Sequence, residues 1–84
     1  MTQGTEQTIR NYIVETFLFG QDDGFQMEDS LLERGIIDST GVLELVVFIE
    51  EQFGVHANDE ELIPENFDSI KRLATFIERK KAEA

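Results

Sequence analysis

The feature that most constrains the fold is the spacing of apolar residues over residues 39–53. They recur at intervals of three and four, at Val42, Leu45, Val46, Ile49 and Phe53. On a helix of 3.6 residues per turn these side chains lie within about 60° of one direction. Gly54 follows directly, and glycine commonly ends helices. The pattern predicts an amphipathic helix over 39–53 that buries one face against other elements.

A second helix is predicted over residues 5–18, where apolar residues again recur at helical spacing. Thr5 is the expected cap at its start, and Gly20 marks its end. A long loop follows, in which Phe25 and Met27 are the expected anchors to the core.

The C-terminal part of the chain predicts two more helices. A short third helix is expected over 59–63, limited by Pro64, and a last helix over 69–80 with Asp68 as its N-cap. No segment shows the sustained alternation typical of strands. The chain therefore predicts a single all-α domain over 1–84, a small up-down bundle of three longer helices and one short helix.

Charge and composition exclude several classes of function. The formal net charge is −11, and no Lys or Arg lies between Arg34 and Lys71. Such a chain should repel nucleic acids and anionic membranes and attract basic protein surfaces, although a charge run can also be only a solvated face. The chain has no cysteine, and we find neither a signal peptide nor an apolar run of membrane-spanning length. A cytoplasmic protein is expected.

Three serines follow an aspartate, and each could be a helix cap. Ser30 fits a capping box with Glu33, and Ser69 lies at the start of the last predicted helix. Ser39 needs a further explanation, because either Asp38 or Ser39 alone would suffice to cap the helix over 39–53.

The face of that helix opposite its apolar residues carries a mixed stripe. Its members are Thr40, Glu44, Val47 and Glu51, flanked by Leu43, Glu50 and Phe48. A solvated face does not need apolar residues, whereas a protein-binding face uses apolar anchors in an acidic field. The stripe indicates partner binding, and the alternative is that its apolar members pack against neighbouring loops.

The run Gly35-Ile36-Ile37-Asp38-Ser39, followed by an acidic amphipathic helix that ends at Phe53-Gly54, resembles the acyl carrier proteins and the related peptidyl carrier domains. The resemblance covers nearly the whole chain and implies a four-helix bundle of the acyl-carrier type. It also implies that Ser39 carries 4′-phosphopantetheine through a phosphodiester. The tripeptide Asp-Ser-Leu of the family occurs at residues 29–31, but no long acidic helix follows it there.

The resemblance assigns roles to single residues. Ser39 would be modified from coenzyme A by a separate phosphopantetheinyl transferase with Mg²⁺, and Asp38 would help to present it. Partner enzymes with basic patches would dock on Thr40, Leu43, Glu44, Val47, Glu50, Glu51, Glu60 and Glu61. These partners include an acyl- or aminoacyl-loading ligase and acyl-transfer enzymes, and the carrier itself would be a monomer without catalytic activity.

Two departures from the family pattern point away from central fatty acid synthesis. Thr40 follows the serine, where many fatty acid carriers have Leu or Met, and the segment 62–67 is slightly longer than in those carriers. Both features favour a stand-alone carrier of a specialised lipid or secondary-metabolite pathway.

Three other interpretations compete with a carrier. An enzyme is disfavoured because His56 is the only histidine and no catalytic triad is evident. A calcium loop at Asp22-Asp23-Gly24 fails, because alignment of Gly24 with the loop glycine puts Phe19 at the first ligand position. The serious alternative is an acidic adaptor in which Ser39 is only a helix cap.

Overall fold

In the computed structural model, which describes residues 2–21 and 24–83, the chain folds into helices joined by loops. They are α1 (Thr2–Phe17), α2 (Ser39–Phe53), a 3-10 helix (Asp59–Glu61), α3 (Pro64–Phe67) and α4 (Ile70–Glu83). No strand occurs in this part of the chain. The all-α bundle of three longer helices and one short helix is thus confirmed. Asp22 and Asp23, two residues of the rejected calcium loop, lie outside the described residues.

All four helices and the first loop contribute to one apolar core. Its larger, fully buried side chains are Ile9, Ile13, Phe25, Leu31, Leu45, Ile49, Phe67, Ile70, Leu73, Phe76 and Ile77. The apolar residues predicted to face inward on α2 all contact this core, two of them fully buried and three half-buried. Burial of such a stripe is what stabilises helices of this length, because their intrinsic propensity alone is marginal in water.

The start of α1 differs from the prediction. The helix begins at Thr2, so Thr5 lies inside it and does not cap it. The Thr5 side chain is buried and its hydroxyl donates a 2.9 Å hydrogen bond to the Glu78 carboxylate on α4. The hydroxyl therefore ties α1 to α4, a long-range contact that local capping rules do not contain.

The first loop is anchored by the two residues that the sequence indicated. Phe25 is buried, and the Arg10 guanidinium both donates to its carbonyl at 2.6 Å and lies over its ring. Met27 is half-buried, and its carbonyl accepts a 3.0 Å hydrogen bond from the Lys71 amide at the start of α4. These contacts hold the chain between α1 and α2 against the bundle.

The third helical segment also differs from the prediction of a single helix over 59–63. Residues Asp59–Glu61 form a 3-10 turn, and Pro64 starts α3 instead of ending a helix. Proline suits a first helical position, because the N–H that it lacks would have no partner in the helix.

The sequence predicted Asp68 as the cap of α4, but the structure shows Ser69 in that role. The Ser69 hydroxyl oxygen accepts from the Arg72 amide at 3.1 Å. The Asp68 carboxylate instead accepts from the Ser30 hydroxyl at 2.7 Å and from the Leu32 amide at 3.2 Å. Because the Asp68 carboxylate binds the turn before α2, the neighbouring Ser69 caps α4 instead.

Candidate functional site

The three Asp-Ser serines have different environments. The Ser30 hydroxyl donates to Asp68 and accepts from the Glu33 amide at 3.1 Å, as one half of the predicted capping box. Ser69 is 3% exposed and caps α4. Both hydroxyls therefore have structural partners within the fold.

Ser39 is exposed at the first residue of α2 and is not needed as a cap. The residue before it, Asp38, accepts a 2.8 Å hydrogen bond on its carboxylate from the Gly41 amide, and its carbonyl accepts from the Val42 amide at 3.0 Å. Asp38 thus fulfils the capping role that the sequence left open between the two residues. Ser39 is left exposed at the first residue of α2.

Gly41 lies in close contact with the end of α1 and with Ile37. A Cβ atom there would lie 3.1 Å from both the Phe17 ring and the Ile37 side chain. A side chain at residue 41 would therefore require the Phe17 ring or Ile37 to shift by a few tenths of an ångström. The first turn of α2, with Ser39, thus lies beside Phe17 at the end of α1.

An open cleft of about 310 Å³ borders Ser39. Its lining consists of Ser39 and of apolar residues of α2, α3 and the loops before them: Leu32, Val42, Leu43, Leu62, Ile63, Pro64 and Phe67. We call this the serine cleft. The sequence analysis did not identify the part formed by residues 62–67, although the apolar run Leu62-Ile63-Pro64 among acidic neighbours is a signal that could have indicated it.

The predicted stripe on α2 lies on the surface. Thr40, Glu44, Val47 and Glu51 are all exposed, and so is the flanking Leu43. Leu43 and Val47 are 58% and 55% exposed, large values for apolar residues on a helix. The two glutamates form no ion pair among the described residues. The stripe is thus an acidic surface with two apolar side chains that this chain itself does not cover.

Two of the predicted docking glutamates are already engaged within the chain. Glu50 accepts from the Ala57 amide at 3.0 Å and contacts the His56 imidazole at 3.1 Å. Glu61 accepts from the Asn58 amide at 2.9 Å and from Lys80 at 3.0 Å. These contacts stabilise the segment between α2 and α3. Only Glu60 of the acidic pair at 60–61 is exposed without such contacts among the described residues.

The hydrogen bond from the Asn58 amide, followed by the one from Lys80, lowers the pKa of Glu61 below its ordinary value of 4.5.

Phe48 packs within the domain, but against helix α1 and not against a neighbouring loop as the alternative interpretation had it. Its ring stacks on Tyr12 of α1 with centroids 3.9 Å apart and planes 13° from parallel. Burial raises the pKa of the Tyr12 hydroxyl, because the phenolate would lose hydration there. The pair joins α1 to α2 and takes Phe48 out of the candidate interaction surface.

A larger cleft of about 530 Å³ lies at the opposite end of α2, where Phe53, His56, Lys80 and Lys81 are among its lining residues. Of its two lysines, Lys80 pairs with Glu61 at 3.0 Å and Lys81 lies over the Phe53 ring. His56 is exposed and lies in the loop between α2 and the 3-10 helix. Within residues 2–21 and 24–83 no cluster of His, Cys, Asp and Glu could hold a metal ion. None of the described helices is long and apolar enough to cross a membrane.

Comparison with known proteins identifies the family. No family model matches the chain. A curated relative from Serratia sp. (strain ATCC 39006), the "Probable acyl carrier protein PigG", is 31% identical over 77 residues, which are 92% of this chain and 88% of the relative. The chain belongs to the carrier protein family. The D-alanyl carrier protein of Streptococcus suis (strain 98HAH33) is likewise 31% identical over 72 residues, 86% of this carrier and 89% of that one.

A solved structure named "Crystal structure of FAD-dependent dehydrogenase" contains a chain of similar fold. The TM-score is 0.73 at 33% sequence identity, over 82% of this carrier and 97% of that chain. Carrier proteins are not themselves enzymes; they work with ligases and transferases that load and unload them. A carrier needs an attachment point and surfaces for partner enzymes rather than catalytic groups.

Proposed function

We propose that this carrier holds an acyl or aminoacyl group as a thioester on a 4′-phosphopantetheine arm attached to Ser39. The observation that carries the proposal is that Asp38, and not Ser39, caps α2. Asp38 accepts the helix-capping hydrogen bond at 2.8 Å, and the Ser39 hydroxyl remains exposed. Ser30 and Ser69, the other two serines after aspartates, are engaged in hydrogen bonds that hold the fold together.

The surroundings of Ser39 fit a phosphodiester. The first N–H groups of a helix have no partner within it, and the positive end of the helix dipole favours an anion at this position. Asp38 satisfies the Gly41 amide, and the amides of Ser39 and Thr40 precede it in the same first turn. A negatively charged linkage on Ser39 would therefore lie where the helix offers N–H groups and positive potential.

The reaction at Ser39 is a phosphoryl transfer within a separate transferase. The Ser39 oxygen forms a bond to the phosphorus of the pantetheine phosphate of coenzyme A, adenosine 3′,5′-bisphosphate leaves, and the hydroxyl proton passes to the transferase. The arm supplies a terminal thiol, which this cysteine-free chain lacks. The carrier contributes the hydroxyl of an exposed serine and no catalytic group.

The exposed stripe on α2 is the surface proposed for partner docking. Glu44 and Glu51 provide an acidic field and Leu43 and Val47 provide apolar contact, next to Thr40 and the arm site. Partners with basic patches suit this surface, because complementary charge speeds encounter and fixes orientation. Glu50, Glu60 and Glu61 remain in the proposed docking set, although their own chain already holds Glu50 and Glu61.

The names of the similar proteins suggest the cargo and one partner. Acyl and D-alanyl carriers are both similar to this chain, so both cargo classes remain in the proposal. The solved structure named after an FAD-dependent dehydrogenase favours a flavin-dependent dehydrogenase among the partners. This similarity, together with Thr40 after the serine and the longer segment 62–67, supports a specialised lipid or secondary-metabolite pathway. The proposal keeps the cytoplasmic location and the monomeric state that the sequence predicts.

The adaptor interpretation has less support from the geometry. It requires Ser39 to be only a helix cap, whereas Asp38 makes the cap hydrogen bond. The adaptor interpretation also does not explain why an exposed serine lines an apolar cleft.

The test is the intact mass of the apo protein before and after incubation with coenzyme A, Mg²⁺ and a broad-specificity phosphopantetheinyl transferase. We expect wild type to gain one phosphopantetheine and Ser39→Ala to gain none. Ser30→Ala is the matched control, because it removes the serine of the other plausible Asp-Ser site. A gain that persists in Ser39→Ala would refute the attachment site. A folded apo protein that gains no mass would instead favour the adaptor.

A further inference from the structure

The outer face of α4 is basic, although the chain as a whole is strongly acidic. Five of the seven lysines and arginines lie on this helix: Lys71, Arg72, Arg79, Lys80 and Lys81. The buried residues of α4 define its inner face, so helical geometry places Arg72, Thr75 and Arg79 together on the outside. All three are exposed. We call these three residues the α4 stripe.

The two arginines of the α4 stripe contribute little to the fold. The Arg72 side chain forms no hydrogen bond or ion pair among residues 2–21 and 24–83. It also lies in the first turn of α4, where the helix dipole disfavours a cation and no acidic residue balances it. Arg79 lies over the Phe76 ring but reaches Glu61 and Glu83 only at 3.9 and 4.0 Å. Both guanidinium groups are therefore available to an acidic surface outside this copy of the chain.

An open cleft of about 350 Å³ borders the α4 stripe on the side of α3. The charged residues of its lining are Lys71, Arg72, Arg79 and Glu65. Lys71 has only a 4.0 Å contact with the exposed Glu28. Because three cations face one carboxylate, this part of the surface carries a positive potential. It suits an acidic element that approaches α4 from outside.

The exposed stripe on α2 has the same spacing as the α4 stripe. Glu44, Val47 and Glu51 are separated by three and then four residues, as are the three members of the α4 stripe. Each residue adds about 1.5 Å along a helix, so the two glutamates lie about 10 Å apart and so do the two arginines. One helix laid along the other can therefore pair both glutamates with both arginines, with Val47 against Thr75 between them.

We propose that the α4 stripe of one copy of this chain docks on the exposed α2 stripe of a second copy, each arginine against a glutamate. The contact is heterologous, because the two surfaces differ, and it leaves one stripe of each copy free. Exposed charge pairs are weak, so the Kd is on the order of 1 mM and the monomer predominates in dilute solution. At physiological ionic strength the Debye length is about 8 Å, which screens the net charges of the two copies more than the pairs in contact.

The contact covers the surface proposed for partner docking. Glu44, Val47 and Glu51 cannot meet a partner enzyme while the α4 stripe of another copy lies on them. The α4 stripe thus competes with the basic patches of partner enzymes, and the carrier becomes less available to them as its concentration rises. This consequence, unlike the contact itself, rests on the proposed function.

The experiment follows self-association of the apo protein by NMR at an ionic strength of about 0.15 M. Amide shifts are recorded between about 0.05 and about 3 mM protein, a range that brackets the expected Kd. A spin label on Ala82→Cys, placed in copies without isotope label, marks the amides of isotope-labelled copies that come near α4. The chain has no other cysteine, and Ala82 is exposed at the end of α4 beyond Arg79. We expect concentration-dependent shifts in both stripes and broadening centred on Glu44, Val47 and Glu51.

Charge reversal tests the pairs directly. Arg72→Glu/Arg79→Glu and Glu44→Arg/Glu51→Arg should each weaken association at least about tenfold, because like charges then face each other. A fourfold variant that carries both reversals has the net charge of wild type and should regain its association. If the fourfold variant does not fold, a mixture of the two double variants repeats the test. The spin label on the copy with the reversed α4 stripe should then broaden the α2 amides of the other copy.

Arg34→Glu/Lys81→Glu is the matched control for net charge. Both residues are exposed and lie outside the α4 stripe, with the Lys81 ammonium over the Phe53 ring. This control has the same net charge as Arg72→Glu/Arg79→Glu. It should associate within about twofold of wild type, since distant charges are screened. Thermal unfolding verifies that each variant is folded.

Four results would overturn the inference. They are shifts that do not change with concentration, broadening centred outside α2, equal weakening by the control and by the reversal on α4, and no recovery in the fourfold variant or the mixture. Each leaves the proposed function intact, because none involves Ser39 or the transferase. Conversely, a folded apo protein that the transferase cannot modify would overturn the proposed function and the competition with partners, but not the contact between copies.

Discussion

Replacement of Asp38 by alanine tests whether Asp38, and not Ser39, caps α2. The change removes the 2.8 Å hydrogen bond from the Gly41 amide to the Asp38 carboxylate. Loss of such a cap costs about 1 kcal/mol, and loss of a negative charge at a helix N-terminus adds about 0.5 kcal/mol. We therefore expect Asp38→Ala to lower the free energy of unfolding by about 1.5 kcal/mol, or the Tm by about 6–12 °C for a domain of this size.

Two companion variants make this prediction specific. Asp38→Asn keeps a capping oxygen and should lose only the charge, about 0.5 kcal/mol. Ser39→Ala removes an exposed hydroxyl that caps nothing and should change stability by less than about 0.5 kcal/mol. The assay is urea unfolding of the apo proteins followed by far-UV circular dichroism. If Ser39→Ala were as destabilising as Asp38→Ala, Ser39 would be a cap and our argument for its availability would be wrong.

Three further predictions concern contacts elsewhere in the fold. Ser69→Ala should destabilise by about 1 kcal/mol in urea unfolding, because it removes the buried cap of α4; an unchanged midpoint would contradict the cap assignment. Phe48→Leu should lose about 1 kcal/mol through the ring stack with Tyr12, and this loss should disappear in a Tyr12→Leu background; additive effects of the two changes would contradict the stack. The lowered pKa of Glu61 contributes stability that is present above its ordinary value of 4.5 and is lost as pH falls through the lower value in the folded state. Glu61→Gln should therefore be less stable than wild type at neutral pH, and the difference should shrink on acidification; a difference independent of pH would refute the assignment.

Charge alone does not define the docking surface of this carrier. The acidic residues of α2 and the following loop look alike in sequence, but the fold divides them. Glu44 and Glu51 are exposed, whereas Glu50 holds the loop at Ala57 and Glu61 holds Lys80. A change at Glu50 or Glu61 therefore acts on stability as well as on binding. Reversal at Glu44 or Glu51 is the cleaner probe of partner docking.

The sequence by itself determined the all-α class, the bounds of α2 and the candidate serine. The apolar spacing over 39–53 and the glycine at 54 gave α2 the bounds that the structure has, because periodicity and helix ends are local properties. The all-α class followed from the same local pattern. The exposed stripe of Glu44, Val47 and Glu51 could also be located, because helical geometry fixes which residues share a face.

The tertiary structure decided which polar side chains cap a helix and which bind a distant segment. Thr5 and Asp68 were expected to be caps, yet Thr5 binds Glu78 on α4 and Asp68 binds the turn at Ser30. A side chain that can cap can also bond to a distant segment, and only the packed chain decides between the two. The serine cleft has the same origin, since its walls come from segments that are separated in sequence and brought together by the core.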